Sequence, residues 1–240
     1  GDGLTVIDCD EDYAGELVVP SRYNGKPVTE IGKDAFIRCH ELKSVTIPNS
    51  VTTLRQGAFR DCKGLSEVII PNSVKVVEES AFRTAISLKS ITIPDSVTSI
   101  GEGAFNNCIN LKYVTIGAGI TEISSFFNGT IIENLVIPKN VQRVVRGAFS
   151  GMASLKSIDV AAGNKWYTSV DGVLFNKSKT DLIRFPAGKG TDYGIPAGTE
   201  LIGPESFKNS KILQTVSIPS SVKIIDYRSF EGSGIKEVII

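Results

Sequence analysis

This chain is nearly without histidine. It has one histidine in 240 residues, so any Cys–His or Ser–His–Asp arrangement would depend on His40 alone. No motif supplies the third, orienting group that a triad needs, and His40 reads as a surface turn residue. Twenty-six basic and 26 acidic side chains cancel. With no basic run, the chain lacks the phosphate-neutralising patch that nucleic acid demands. No stretch approaches the ~18 consecutive apolar residues of a membrane span. The start, Gly1-Asp2-Gly3-Leu4-Thr5, lacks the basic and apolar segments of a signal peptide, as a processed chain would too. A phosphate cradle is also missing, because Gly117-Ala118-Gly119 has neither the following glycine nor a strand-to-helix context. It reads as a turn.

What the chain does have is a period. Pro48, Pro71 and Pro94 stand 23 residues apart, as do Phe36, Phe59, Phe82 and Phe105. A recurrence of this length means stacked units, none of which can bury its apolar face alone. Each unit opens on an apolar residue, as at Leu42, Leu65, Leu88, Leu111, Ile132, Leu155, Leu213 and Ile235. Another follows three residues on (Val45, Val68, Ile91, Val114) and another two further (Ile47, Ile70, Ile93, Ile116). Because side chains alternate along a strand, this pattern is a strand with one face in a core. The proline that usually follows removes a ladder donor and ends it. A second apolar pair comes next, Val51 and Leu54 or Val97 and Ile100, and then Gly-x-x-Ala-Phe forms a tight helical or 3₁₀-like return. The expected fold is a right-handed, β-rich leucine-rich-repeat solenoid with a concave parallel sheet and short 3₁₀ or helical turns on the convex side. A parallel β-helix is the competing architecture, and the tight return in place of a third strand argues against it. About ten rungs at roughly 4.8 Å each give a sheet some 45 Å long, with one continuous apolar interior.

Four cysteines are too few for a disulfide scaffold. Cys39, Cys62 and Cys108 each follow a repeat phenylalanine by three residues, where other units carry Ala85, Met152 and Ser210. A site shared with Ala and Met wants a small or adaptable apolar group, so these read as buried structural thiols. Equivalent positions on successive coils form a line, not the tetrahedron zinc requires, and no metal or cofactor is expected. Cys39 and Cys62 stand close enough on adjacent coils to be joined.

The whole chain, 1–240, reads as one repeat domain with two irregular segments. Residues 1–41 form an N-terminal cap and first unit. Residues 161–189 are an insertion, and 190–240 are the final repeats. Within the insertion, Val173-Leu174-Phe175 and Leu182-Ile183-Arg184-Phe185 flank a polar turn and read as a β-hairpin, projecting from the coil or acting as a spacer.

The register L-K-S-V-T-I-P-x-S-V-T-x-I-G-x-x-A-F-x-x-C resembles the BspA-type leucine-rich repeat, over nearly the whole chain. The hairpin segment 171–188 and Asn24-Gly25-Lys26-Pro27-Val28-Thr29-Glu30-Ile31-Gly32 carry the same resemblance. Ile116-Gly117 in place of Ile-Pro, Phe126-Phe127 in place of Ala-Phe and the short unit from 111 to 132 depart from it. The resemblance implies adhesion or protein binding at the cell surface or outside the cell, in a host-associated bacterium, with no shared catalytic residues.

Function should then sit on the outward side of the sheet. Lys43, Lys89, Lys112, Lys156 and Lys236 recur one residue after the repeat start, beside Thr46, Thr92, Tyr113 and Thr115. Lysine and threonine also suit any solvated sheet. As a binding surface, the same positions offer hydroxyls, positive charge and one rigid aromatic. Glu67, Asp159, Asp192 and Glu237 are the outward carboxylates, and only Asp159 and Asp192 stand on neighbouring rungs as a glycosidase pair would. The expected function is a non-catalytic module that binds a protein, matrix or cell-surface partner. A glycan-binding or glycan-processing solenoid and a structural spacer are the alternatives. The expected state is a monomer or weak end-to-end dimer.

Overall fold

A computed structural model describes residues 3–240. The chain winds into a β-solenoid of about ten turns with parallel sheets and, among the described residues, no helix. None is therefore present that could cross a membrane.

Each regular coil contributes one longer and one shorter strand. The longer ones, such as Leu42–Thr46, Ser90–Ile93 and Tyr113–Ile116, stack in parallel with equivalent repeat positions opposite one another: Val45 beside Val68, and Val114 beside Ile91. Their inward residues Leu42, Val45, Leu65, Leu88, Ile91 and Leu111 are buried, as the alternation predicts. Proline then ends the strand and its carbonyl closes a turn. Val51 N donates to Pro48 O at 3.0 Å, Val74 N to Pro71 O at 3.0 Å and Val97 N to Pro94 O at 3.1 Å. This turn delivers the short strands Thr53–Leu54, Val76–Val77 and Ser99–Ile100, which pair in parallel along a second face.

The return is where the structure departs from the sequence expectation. It is not a 3₁₀ or helical turn but a third hydrogen-bonded face. Phe36 N donates to Ala58 O at 2.8 Å, Phe59 N to Ala81 O at 2.7 Å and Phe82 N to Ala104 O at 2.7 Å, all between coils. Intervening groups bond locally, for example Arg60 N to Gly57 O at 2.8 Å. The residue before each alanine is left-handed, with φ of 53° at Asp34, 64° at Gly57, 57° at Ser80 and 65° at Gly103, and so is the second residue after each phenylalanine. Two such residues per return prevent a helix and turn alternate amides toward the neighbouring coil. The phenylalanines consequently form a file: Phe36, Phe59, Phe82, Phe105 and Phe127 stack at 5.0, 5.2, 5.2 and 5.4 Å between ring centroids.

The insertion does not project. Tyr167–Val170, Val173–Asn176 and Asp181–Arg184 form an antiparallel meander whose last strand pairs in parallel with Leu201–Ile202, re-entering the short-strand face. Val173, Leu174 and Phe175 are all fully buried. Leu174 packs into the core formed by residues 19–158, while Val173 and Phe175 pack into a second core extending to Ile218. Both faces of that strand are therefore core-facing, and the single interior expected from the period is two interiors on either side of a shared wall. Asn164 fixes the approach to this wall. Its Nδ2 donates to Pro138 O (2.9 Å) and Val141 O (3.1 Å), and its Oδ1 accepts from Trp166 N and Tyr167 N, both at 2.8 Å.

Candidate functional site

The outward side of the long strands is the broadest surface on which the repeat positions converge. Register places Glu16, Ser44, Glu67, Ser90, Tyr113, Asn134 and Ser157 in one column, and Val18, Thr46, Ile69, Thr92, Thr115, Val136 and Asp159 in the next. The hydroxyls Thr46, Thr92 and Thr115 are exposed as the alternation requires. Four large side chains stand fully into solvent beside them, with Val18 70% exposed, Ile69 68%, Tyr113 64% and Val136 51%. A Tyr or Ile in this position covers nothing of its own coil, because the strand's other face already holds the core.

The sheet is not continuous. The ladder is interrupted between Glu67–Ile69 and Ser90–Ile93, and again between Tyr113–Ile116 and Asn134–Ile137. At the first interruption a groove opens, lined by Glu67, Ile69, Asn72, Ser90 and Thr92, with a volume of about 360 Å³. The sequence carries no sign of this break, since the repeat length on either side of it is regular.

The lysine column is present but mostly compensated. Glu133 occupies the same repeat position between Lys112 and Lys156 and bridges both at 3.2 Å. Lys43 meets Glu41 at 3.3 Å, and Lys112 Nζ lies 5.8 Å from the centre of the Tyr113 ring. Lys89, exposed beside Ser90, has no carboxylate partner among the described residues. The column is thus neutralised at Lys43, Lys112 and Lys156, while Lys89, near the groove, and Lys236, on the last rung, have no ion-pair partner among the described residues. Hydrogen bonds from Lys156 and then Lys112 hold the Glu133 carboxyl below the usual carboxylate range. Its folded value is depressed, so the bridge is intact above the ordinary glutamate range and breaks as pH falls through the lower folded value. In an NMR titration Glu133 should therefore protonate at a lower pH than the ordinary glutamate range. It should return toward the ordinary range in a Lys112→Met/Lys156→Met variant.

The carboxylates do not assemble into a pair for glycoside hydrolysis. Asp159 lies on Ser157–Val160, whose free edge is met by the insertion through Ile158 N donating to Gly172 O at 2.8 Å. Asp192 belongs to a separate sheet with Thr215–Ser217. Asp159 accepts from Ser157 Oγ at 2.8 Å and Asp192 from Thr191 Oγ1 at 2.6 Å. Their expected neighbour relation is corrected: the wall between the two cores stands between them. His40 sits in an exposed turn with Nδ1 2.9 Å from Asp61 O.

A second concavity lies where the phenylalanine file breaks. Between Phe149 and the stacked Phe185, Phe207 and Phe230 a cavity of about 230 Å³ is lined by Val144, Phe149, Leu182, Arg184, Leu201 and Glu205. Arg184 is only 8% exposed. It donates to Glu205 O at 2.7 Å and Lys208 O at 3.1 Å, and burial lowers its guanidinium to about 10 with partial compensation from Glu205. Arg146 spans the gap, reaching Glu205 at 2.8 Å and stacking over Tyr227 at 4.5 Å. Burial pushes the Glu205 carboxyl up, but Arg146 and Lys208 outweigh it and hold it below the usual range. This arrangement joins the two halves of the solenoid, and its carboxylate is already taken.

Residues 24–126 and 187–240 match the BspA type leucine rich repeat region in six copies. The unmatched part between them, 127–186, holds the end of the shortened unit and nearly all of the insertion. No curated protein sequence matches the chain. Among solved structures, the pneumococcal vaccine antigen PcpA is similar over 100% of this chain at 27% identity and a TM-score of 0.83. The chain spans 64% of that protein. A leucine rich cell surface protein from Faecalibacterium prausnitzii is similar over 94% of this chain and 69% of its own, at 25% identity and a TM-score of 0.66. A leucine-rich repeat protein from Eubacterium ventriosum shares the fold over 94% of this chain and 61% of its own, with a TM-score of 0.70 at 24% identity.

Proposed function

The chain belongs to the BspA-type leucine-rich repeat family, and from that premise we propose that it is a non-catalytic module that binds a protein partner outside the bacterial cell through the outward side of its long-strand sheet. The observation that carries this reading is the row of solvated apolar and aromatic side chains, Val18, Ile69, Tyr113 and Val136, on a surface otherwise made of hydroxyls and charged side chains of both signs. Burying such side chains against a partner is favourable at about 25 cal/mol per Å². The neutralised lysines around them form a polar rim that does not select for an anion. Lys89, next to the groove-lining Ser90, sets an unpaired cation beside the concavity at Ile69. Similarity to a vaccine antigen and to a cell surface protein supports the extracellular placement.

The test is capture from host-cell and microbial surface extracts with the chain immobilised, followed by direct titration of whatever protein is retained. Ile69→Glu and Tyr113→Ala should each weaken that binding roughly tenfold or more, as loss of a central contact does. Lys156→Ser should change it little, because Lys156 is already paired with Glu133. Retention of a polysaccharide in place of a protein, with Tyr113→Ala abolishing it, would transfer the site to the glycan reading. Binding that survives both the Ile69 and Tyr113 substitutions removes this surface from consideration.

A further inference from the structure

The irregular N-terminal unit brings together two thiols that the repeat pattern does not connect. Cys39 occupies the repeat position after Phe36 and is fully buried, whereas Cys9 lies in the non-repeating segment before the first full coil and is half-exposed. Both sulfurs reach the same backbone oxygen: Cys9 Sγ is 3.6 Å and Cys39 Sγ 3.7 Å from Asp10 O. That carbonyl additionally accepts Tyr13 N at 2.9 Å, so the turn from Asp10 to Tyr13 is what holds Cys9 over Cys39. The neighbouring repeat thiol is engaged elsewhere, with Cys62 Sγ 2.8 Å from Phe36 O inside the core. Leu4, Val6, Cys9, Tyr13 and Leu17 cover the first coil while remaining only partly buried. The cap is therefore held to the first coil by partly buried side chains, where the interior rungs bury most of theirs fully.

We propose that Cys9 and Cys39 form a disulfide that staples the N-terminal cap to the first coil. The pairing that the repeat register would allow, Cys39 with Cys62, joins two side chains that read as buried structural thiols of adjacent coils. The structure instead gives Cys39 an accessible partner from outside the register. The oxidant is a disulfide, either a small molecule such as glutathione disulfide or a disulfide-bearing oxidoreductase. Cys9, the exposed member, loses its proton to solvent and attacks one sulfur of the oxidant, giving a mixed disulfide and one released thiolate. Cys39 then loses its proton and attacks Cys9 Sγ, forming the protein disulfide and displacing the second thiolate. One disulfide is reduced to two thiols as two protein thiols become one disulfide.

Burial is the main reason both thiols are held above their ordinary range, Cys39 to about 12, and the surrounding acidic residues add to it. Exchange is therefore slow at neutral pH and faster under mildly alkaline conditions, because the thiolate is the nucleophile. The bond closes a loop of about 30 residues, a size for which removing denatured-state freedom gives a substantial gain.

The test treats the purified chain with glutathione disulfide at mildly alkaline pH, then alkylates, digests and identifies linked peptides. The expected result is a Cys9–Cys39 peptide pair, with Cys62 and Cys108 still alkylated. The oxidised chain should melt about 5 °C or more above the reduced one, and the strand Leu4–Val6 should exchange its amide hydrogens more slowly. Cys9→Ala, at a half-exposed position that leaves the core intact, should erase the difference between oxidised and reduced samples. Cys62→Ala should still form the link. Recovery of a Cys39–Cys62 peptide, or a Cys9 that remains fully alkylatable after oxidation, would overturn the assignment.

Discussion

Phe82→Ala should destabilise the chain by about 3–5 kcal/mol, the range for truncating a buried aromatic. Phe82 is fully buried and stacked between Phe59 and Phe105, 5.2 Å from each and tilted by only 8° and 4°. Its backbone N donates to Ala104 O at 2.7 Å, and the coil before it is tied on through Phe59 N donating to Ala81 O at 2.7 Å. With its rung pinned by three ladders, the coil cannot close over the missing ring, so most of the cavity persists. Phe149→Ala supplies the contrast. Phe149 is buried but lines the concavities at the break in the file, where space already exists. It should cost at least about 1 kcal/mol less than Phe82→Ala, since part of its truncation cost is already met by that space. Urea unfolding followed by circular dichroism compares the two variants, with hydrogen exchange locating the loss because a repeat array need not unfold in one step. A Phe82→Ala chain within about 1 kcal/mol of the parent would mean that the file carries no packing energy of its own.

That contrast marks how far the sequence could be read. The 23-residue spacing of the phenylalanines is a direct image of the file from Phe36 to Phe105, because identical units stack with identical residues opposite. The outward columns follow from the same register, so Thr46, Thr92, Tyr113 and Thr115 emerge on the surface where alternation puts them. The return was harder. Left-handed Ser80, Thr84 and Glu205 are not residues that announce positive φ, and the Gly57, Gly103, Asp34, Asp61 and Asn107 that favour it do not by themselves distinguish this return from an ordinary turn. The insertion was misjudged for a different reason. Three consecutive apolar residues, Val173-Leu174-Phe175, cannot all face one core, and in a projecting hairpin one would be exposed. A continuous apolar run is the pattern of a strand covered on both sides, and that strand is the wall between the two cores. The lysine column reads as positive when only its lysines are counted; Glu133, one residue after the unit start Ile132, holds the same position between Lys112 and Lys156 and neutralises both. Cys9 lies outside any period, so no register could bring it to Cys39.

Asn164→Asp should cost about 3 kcal/mol or more near neutral pH, far beyond the usual effect of exchanging an amide for a carboxyl. Asn164 is 1% exposed and uses all four of its side-chain hydrogen bonds. Its two donors face Pro138 O and Val141 O, and the nearby Lys177 ammonium is engaged by the Asn164 backbone carbonyl at 2.7 Å. An ionised carboxylate would keep the bonds from Trp166 N and Tyr167 N but place its other oxygen against two carbonyls in a dry site. The damage should be local to the wall. Tyr167, positioned by Asn164, accepts Val144 N on its hydroxyl at 3.0 Å and so continues the short-strand ladder past Arg143–Val144. Loosening it exposes the seam between the two cores. The pH dependence separates charge from shape. Burial and the facing carbonyls raise the folded pKa of the new acid above its unfolded value of about 3.9. The variant is then least impaired when protonated at low pH, and its deficit grows as pH rises. Asn164→Ala, which loses the same donors without gaining a charge, should show a deficit of about 2 kcal/mol with no such slope. Equal losses for the aspartate variant at pH near 4 and near 8 would show that solvent reaches this site and that the insertion is not sealed between the two interiors.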